Sequence, residues 1–460
     1  MINATIIILI SSLLIFTPIA FGSVELWAFS LMELSILLIL ALWAVQQAIT
    51  PNSELRTPNL KLVGIFLSLF LLLVFIQMIS LPSGIVKMIS PKTFSLRQQL
   101  LLTTDQLPMT TLSFVPFLTQ IEFFKWLTLI GFFLFLLRWR YFDSRTTRGL
   151  ILVAFCVGVF ESLYGMFEFF SGHKHILHLR MDHLVSSVTG TFINRNAFAG
   201  YLLMVIPLSM GYLFSREAHQ TGKSMGWRHR LSSLDGKSLL IAFGIILMIL
   251  GLLFSASRMG IASLLLSFSL VSLLFRNPEE GKKLSRPSIL ILGLALLWAA
   301  WIGLDAVISR FFTTSESFED RWRLWINTFQ IIKDYPLFGA GLGAFTQVFP
   351  MYRSFHIRGL VTHAENDFLQ LISEAGLLGA GLLGILFFYL FYRGASGIRS
   401  LSYRNPERYI GAGGMIGILA LMFHSLVERN IQIPANGFLY TLLWAIVLRM
   451  SFTKKNEGAK

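Results

Sequence analysis

Cysteine is almost absent: the 460 residues hold one, Cys156, inside an apolar run. That excludes an intrachain disulfide and any metal site built on cysteine. Charge is scarce as well. Only 13% of residues are charged, where a soluble domain carries about 25%. Acidic residues are the scarcer sign, 24 against 38 basic, which leaves a formal charge of +14. A surplus of that size can mean nucleic acid, but these basic residues lie in short loops between apolar runs. There they set topology and meet anionic headgroups, so membrane lipids are the expected partners and nucleic acid is not. Alternation of apolar and polar residues is missing too, which excludes a transmembrane β-barrel. No Lys or Arg precedes the first apolar run, Ile6 to Ala20. Ala20-Phe-Gly22 resembles a cleavage site, yet a signal peptide needs that leading charge, so the run reads as a retained first span. There is no internal repeat, no low-complexity linker and no separate soluble domain.

What is present is hydrophobic helix. Hydrophobic residues make up 55% of the chain, 42 of them Phe. At least ten apolar runs approach or exceed the roughly 20 helical residues that cross a bilayer. The reading is an all-α polytopic membrane protein, a single integral membrane domain over 1–460. Twelve spans are expected near 4–20, 26–47, 61–81, 123–138, 149–170, 197–214, 238–254, 260–275, 288–307, 376–392, 409–425 and 434–450. With both termini inside, 23 of the 38 basic residues fall in short cytoplasmic segments, as the positive-inside rule requires. Three outer segments are long. Residues 82–122 carry Pro82, Pro91, Pro108 and Pro116 and read as broken helix or loop. Residues 171–196 are rich in His. Residues 308–375, between spans nine and ten on the outer side, are the candidate catalytic segment.

In that last segment Phe318, Trp322, Trp325, Phe329 and Ile332 recur at three- and four-residue steps. They predict an amphipathic helix lying on the outer leaflet, with Arg323, Asn327, Gln330 and Asp334 facing elsewhere. Pro336 and the following glycines stop it. A second helix starts at Asp367, where Asp367 and Gln370 have capping-box spacing. Gly376 closes that helix or bends it into the tenth span.

Several residues carry possible chemistry. His363 is either a general base for a hydroxyl nucleophile or a loop imidazole bonded to backbone. Glu365 orients that imidazole or faces water; Asp367 reads as a cap. Arg258, in the tip Ser255-Ala-Ser-Arg-Met-Gly260, either snorkels or binds an anion. Arg321, four residues before Trp325, leans toward a lipid phosphate, which a guanidinium fork matches in two-pronged fashion. Arg195, within Asn194-Arg-Asn196, is a further cationic candidate. Glu161, with Tyr164 and Glu168 on one face of span five, is either functional or a carboxyl bonded across helices. His173, His175, His178 and His183 lack metal-ligand spacing, and no metal is expected. Gly339-Ala-Gly-Leu-Gly343-Ala344 superficially fits a dinucleotide fingerprint, but no strand precedes it, so it reads as flexible backbone. No cofactor is called for. Trp322, Phe345 and Tyr352 either stack on a ligand or anchor the segment in the interface.

Arg321-x-x-x-Trp325, Tyr335-Pro-Leu-Phe-Gly-Ala-Gly-Leu-Gly-Ala-Phe345 and His363-Ala-Glu-Asn366-Asp-Phe-Leu-Gln-Leu-Ile-Ser-Glu374, taken in order, resemble the O-antigen ligase and polymerase superfamily. Gly190-Thr-Phe-Ile-Asn-Arg-Asn196 and Ser257-Arg258-x-Gly260 add to the likeness. The resemblance implies a metal-independent, GT-C-like glycosyltransferase of the bacterial inner membrane. Such enzymes take a glycan from a polyprenyl-diphosphate carrier on the periplasmic face and join it to a hydroxyl of lipid A-core or of another glycan. The family's histidine maps to His363 and its arginines to Arg258 and Arg321; Arg195, Glu365, Asn366 and Glu161 are supporting candidates on the reading of the residues above. The chemistry agrees: a departing diphosphate needs positive charge, and the attacking hydroxyl needs one base. A polymerase is the near alternative. A glycolipid flippase is the distant one, served mainly by Glu161.

Overall fold

In the computed structural model the described residues are all but 51–60, 101–107, 173–174, 181–186, 221–234, 276–314, 356–359 and 453–460. Long apolar segments have only their own backbone to bond in lipid, so they form helix. In chain order these are α1 (Ile2–Ile19), α2 (Leu26–Ile49), α3 (Lys61–Met78), α4 (Ser83–Ile89), α5 (Pro91–Leu100), α6 (Pro116–Arg138), α7 (Ser144–Ser171) and α8 (Arg195–Gln220). They continue as α9 (Gly236–Phe254), α10 (Arg258–Leu274), α11 (Ser315–Asp334), α12 (Phe345–Val348), α13 (Asp367–Arg399), α14 (Pro406–His424) and α15 (Pro434–Phe452). Two two-residue hairpins, 81–82 with 109–110 and 175–176 with 179–180, are the only strands among the described residues.

Eight described helices are long and apolar enough to cross a membrane: α1, α2, α3, α6, α7, α8, α9 and α13; α10 is a shorter apolar helix. The chain is an all-α, multi-pass membrane protein. A helix stands at eleven of the twelve expected span positions; the ninth, 288–307, lies outside the described residues.

The centre of the body is α8. Nearly all of its apolar stretch is buried, against about a third for α1, α3 and α13. Its partner is α14, and glycine lets the two backbones touch. A Cβ on Gly413 would stand 2.3 Å from the carbonyl oxygen of Pro207, and one on Gly211 would stand 2.4 Å from that of Tyr409. Packing through small residues is how helices associate where lipid is as apolar as leucine.

The inter-helix segments meet at two opposite ends. At one end Thr191 reaches Pro18, Gln77 reaches Phe338, Phe114 reaches Ala340, and Ser257 reaches His424. At the other end Arg449 bonds the carbonyls of Trp139 and Phe142, and Arg408 and Tyr403 reach that of Phe275. Among the described residues, 82–100, 108–122, 187–194, 255–257, 335–355, 360–366 and 425–433 therefore share the first end.

Two expectations about that end change. Residues 83–100 form α4 and α5, the broken helix expected there, and 81–82 pair with 109–110, but α6 begins at Pro116, seven residues before the expected span. Proline suits a first helical turn, where its missing N–H is not needed. The amphipathic helix α11 exists, but its buried face is Leu324, Asn327, Thr328, Ile331 and Ile332, with Trp325 half-buried. Trp322, Ile326 and Phe329 stand exposed instead, about half accessible each. The protein core thus takes the face expected to be partly polar, and the exposed aromatic stripe is left for the interface. Phe318 lies where side chains are not described.

Candidate functional site

The site begins with a break in α13. At Gly376 the backbone turns to φ 69°, ψ −179°, and the helix resumes beyond it. A break strands carbonyls that would otherwise bond within the helix. The glycine-rich loop takes them up: Ala340 N–H donates to Ser373 O at 2.8 Å and Gly341 N–H to Glu374 O at 3.0 Å. Gln77 of α3 donates to Phe338 O and Glu374 O and accepts from Leu342 N–H. Gly339 has φ 73°, and a Cβ there would stand 2.3 Å from Glu374 backbone atoms. This loop is tightly placed, which corrects its reading as flexible backbone. The clamp fixes the N-terminal part of α13 and with it the segment Thr362–Asn366.

Asn366 caps α13. Its Oδ1 accepts from the amides of Phe368 and Leu369, both at 3.0 Å, and its Nδ2 donates to Leu426 O. Asp367, expected to be the cap, does something else. It is buried, and its Oδ2 accepts from the amides of Asn430 and Ile431 at 2.9 and 2.8 Å. Its own amide donates to Ser425 O at 3.0 Å. Asp367 thus pins the 425–433 turn between α14 and α15 to the start of α13.

That turn delivers two side chains. Glu428, buried, pairs with Arg321 Nη2 at 2.5 Å. Arg429 Nη1 lies 2.7 Å from His363 Nδ1. One dipeptide therefore links the arginine of the amphipathic helix to the candidate base. Burial pushes the Glu428 carboxyl up to about 7, against the pull of Arg321. Asn196, at the mouth of α8, also bonds Glu428.

His363 is half-buried. Ala364 beside it is held on both sides: its amide donates to Gln370 Oε1 and its carbonyl accepts from Trp325 Nε1, each at 3.1 Å. Thr362 Oγ1 lies 2.8 Å from Nδ1. Burial, then the charges of Arg429 and Lys125, lower the His363 imidazole from 6.5 to about 3. Glu365 follows at φ 49°, a left-handed turn that a non-glycine residue adopts at a cost. Burial raises its carboxyl, and Arg321 and Arg429 oppose that rise.

Arg258 is the first residue of α10 and half-buried. Its neighbour Ser257 sits 3.2 Å from His424 Nε2, four residues before Glu428, so the 255–258 tip reaches the same end. Arg195 opens α8, next to Asn196. Glu161 is buried and bonded to Thr191, whose N–H donates to Oε2 at 2.7 Å and whose Oγ1 donates to Oε1 at 2.6 Å. Its role in the fold is to fix the 190–194 turn. Of the proposed stacking aromatics, only Trp322 is exposed. Phe345 is buried and stacked on Phe349, a correction, and the Tyr352 hydroxyl donates to Asp334 at 2.6 Å. His175 and His178 sit on the second hairpin, and His173 and His183 lie outside the described residues. No group of three metal-ligating side chains occurs among the described residues.

Sequence reasoning missed Glu428, Arg429, Asn196 and Lys125. A signal existed: the turn between spans eleven and twelve falls on the same side as 308–375, and it reads Glu-Arg-Asn.

Residues 243–385 match the family model described as O-antigen ligase. No curated protein matches the chain. The match spans under a third of the chain and takes in α10, α11 and the His363 segment; it supports the O-antigen ligase superfamily that the motifs resemble.

Proposed function

We propose that this chain is an inverting glycosyltransferase that moves a glycan from a polyprenyl-diphosphate carrier to an acceptor hydroxyl. The reading includes twelve spans in a GT-C-like arrangement, both termini cytoplasmic, and the site on the periplasmic face of the inner membrane. The observation that carries it is the Glu428-Arg429 dipeptide, which ties Arg321 and His363 to one turn. A cation that prefers phosphate and a side chain able to take a proton meet where a lipid diphosphate and a sugar hydroxyl would arrive.

The division of labour follows. Arg321 and Arg258 hold the diphosphate and stabilise the charge it gains as it leaves, with no metal needed for that task. His363 takes the proton of the acceptor hydroxyl as it attacks the anomeric carbon from the opposite face. Glu365 feels the charges of both Arg321 and Arg429 and tempers them. Asn366 and Asp367 act through the backbone they hold. Lipid A-core is the acceptor in a ligase, and a second glycan is the acceptor in a polymerase.

Deletion of the gene tests the reading and separates these two. Loss of a ligase leaves long chains on the carrier; loss of a polymerase leaves single repeat units. Wild-type chain restores surface polysaccharide at normal expression and His363→Ala does not. Restoration by His363→Ala removes the base assignment.

A further inference from the structure

The 425–433 turn carries a cation that the reading above leaves without a task. Arg429 Nη1 donates to His363 Nδ1 at 2.7 Å. A guanidinium has donors only and keeps its proton. Nδ1 therefore supplies a lone pair, and the ring proton of the neutral imidazole sits on Nε2. In this arrangement neither ring nitrogen is open to a new proton: Nδ1 is engaged and Nε2 carries its own. Arg429 meanwhile keeps donor capacity in reserve, because its Nε is buried with no hydrogen-bond partner, an uncommon condition for a buried donor. The charged groups facing it are Asp367, Glu365, Glu122 and Glu374; those facing His363 are Arg429 and Lys125. Arg429 also follows directly on the residue that pairs with Arg321.

We propose that Arg429 is a switching cation: it donates either to His363 Nδ1, as here, or to a phosphate oxygen of the donor diphosphate, and only the second arrangement lets Nδ1 accept the proton of the acceptor hydroxyl. This rests on the reading of His363 as the base. A phosphate is the stronger partner for the guanidinium, since it is charged and matches the fork. In the step that follows, the acceptor oxygen bonds to the anomeric carbon and its proton passes to Nδ1. The bond from that carbon to the phosphate oxygen breaks, and polyprenyl diphosphate leaves with the electron pair. Transfer of Arg429 takes a cation away from the imidazole and brings an anion near it. Both changes raise its affinity for a proton. The donor thereby activates the base that its own reaction needs.

The test uses the full-length protein in liposomes and inorganic pyrophosphate as the probe, titrated calorimetrically. Arg429→Gln is expected to bind pyrophosphate roughly tenfold more weakly, the loss of one charge-assisted contact. His363→Ala is expected to bind it more tightly, because Arg429 no longer leaves a partner to reach it. Arg429→Lys keeps the charge without the fork and falls between wild type and Arg429→Gln. In transfer assays Arg429→Gln raises the KM for the lipid-linked donor. It also moves the acid limb of kcat/KM to higher pH, since His363 loses the cation that holds it down. Unchanged pyrophosphate affinity in Arg429→Gln and Arg429→Lys, with only kcat reduced, makes Arg429 a fixed brace and overturns the switch. Pyrophosphate binding needs no transfer, so a failure of the base assignment, seen as an active His363→Ala, is told apart from a failure of the switch.

Discussion

Arg449 and Arg408, at the end away from the site, do different work from Arg321 and Arg429 at the site. At the end away from the site, Arg449 donates to the carbonyls of Trp139 and Phe142, and Arg408 to those of Arg399 and Leu401. Arg408 also lies over the Tyr403 ring at 3.9 Å. These hydrogen bonds go to backbone oxygens near helix ends, where carbonyls lack a partner within the helix. At the site end, Arg321 meets a carboxylate and Arg429 an imidazole. Those partners titrate, and an incoming anion can compete with them. In these four residues the type of partner, more than burial, separates a cation that holds a fold from one that an anion can recruit.

Substitutions can break that comparison. The largest effect is expected at His363: His363→Ala should lower transfer by about a hundredfold or more, the usual scale for a general base. Its folded yield and thermal transition should stay near wild type, as read by size exclusion and a melting curve. Next comes Arg408→Ala, with the opposite signature. It strands buried carbonyls, so folded yield should fall while the surviving protein keeps its KM. A changed donor KM in folded Arg408→Ala erases the distinction between the ends.

Arg321 sharpens it. Arg321→Lys keeps the charge and the pairing with Glu428 but loses the fork, so transfer should fall by roughly tenfold. Full activity reduces Arg321 to a point charge. Asp367→Asn follows, measured as kcat with donor KM alongside. It weakens the acceptor for the amides of Asn430 and Ile431, loosens the turn that presents Glu428 and Arg429, and should lower kcat severalfold. The smallest effect is a pH dependence. Glu428, raised to about 7 from 4.5, is easier to protonate in the folded protein than in the unfolded chain. Its contribution to stability is therefore full below 4.5 and is lost as pH rises through about 7. Glu428→Gln should flatten the melting temperature across that window.

Much of this was legible in the sequence, and the remainder was hidden for physical reasons. Apolar runs are long-range signals that lipid enforces, so helices were expected at each of the eleven span positions that the described residues reach. His363 and Arg321 stood out because polar types in an apolar chain are few. The break at Gly376 was legible for the same reason that it occurs, since glycine alone adopts that backbone readily. The cap was misassigned because Asn366 and Asp367 are adjacent and both suit a cap. Only the arrival of residues 425–431 decides which carboxyl or amide turns inward. Glu428 and Arg429 had no periodicity to betray them. Four polar residues between two spans look like an ordinary turn until the fold brings α11 and the His363 segment against them. The face of α11 was misread because Asn327 and Thr328 are polar yet buried, a choice made by packing and not by helix periodicity.

The most direct measurement is transfer by the purified chain in liposomes, supplied with a polyprenyl-diphosphate-linked glycan and an acceptor, without an ion gradient. The account predicts a covalent glycan–acceptor product and released polyprenyl diphosphate from wild type, and neither from His363→Ala. Movement of the carrier lipid across the bilayer with no product would contradict it.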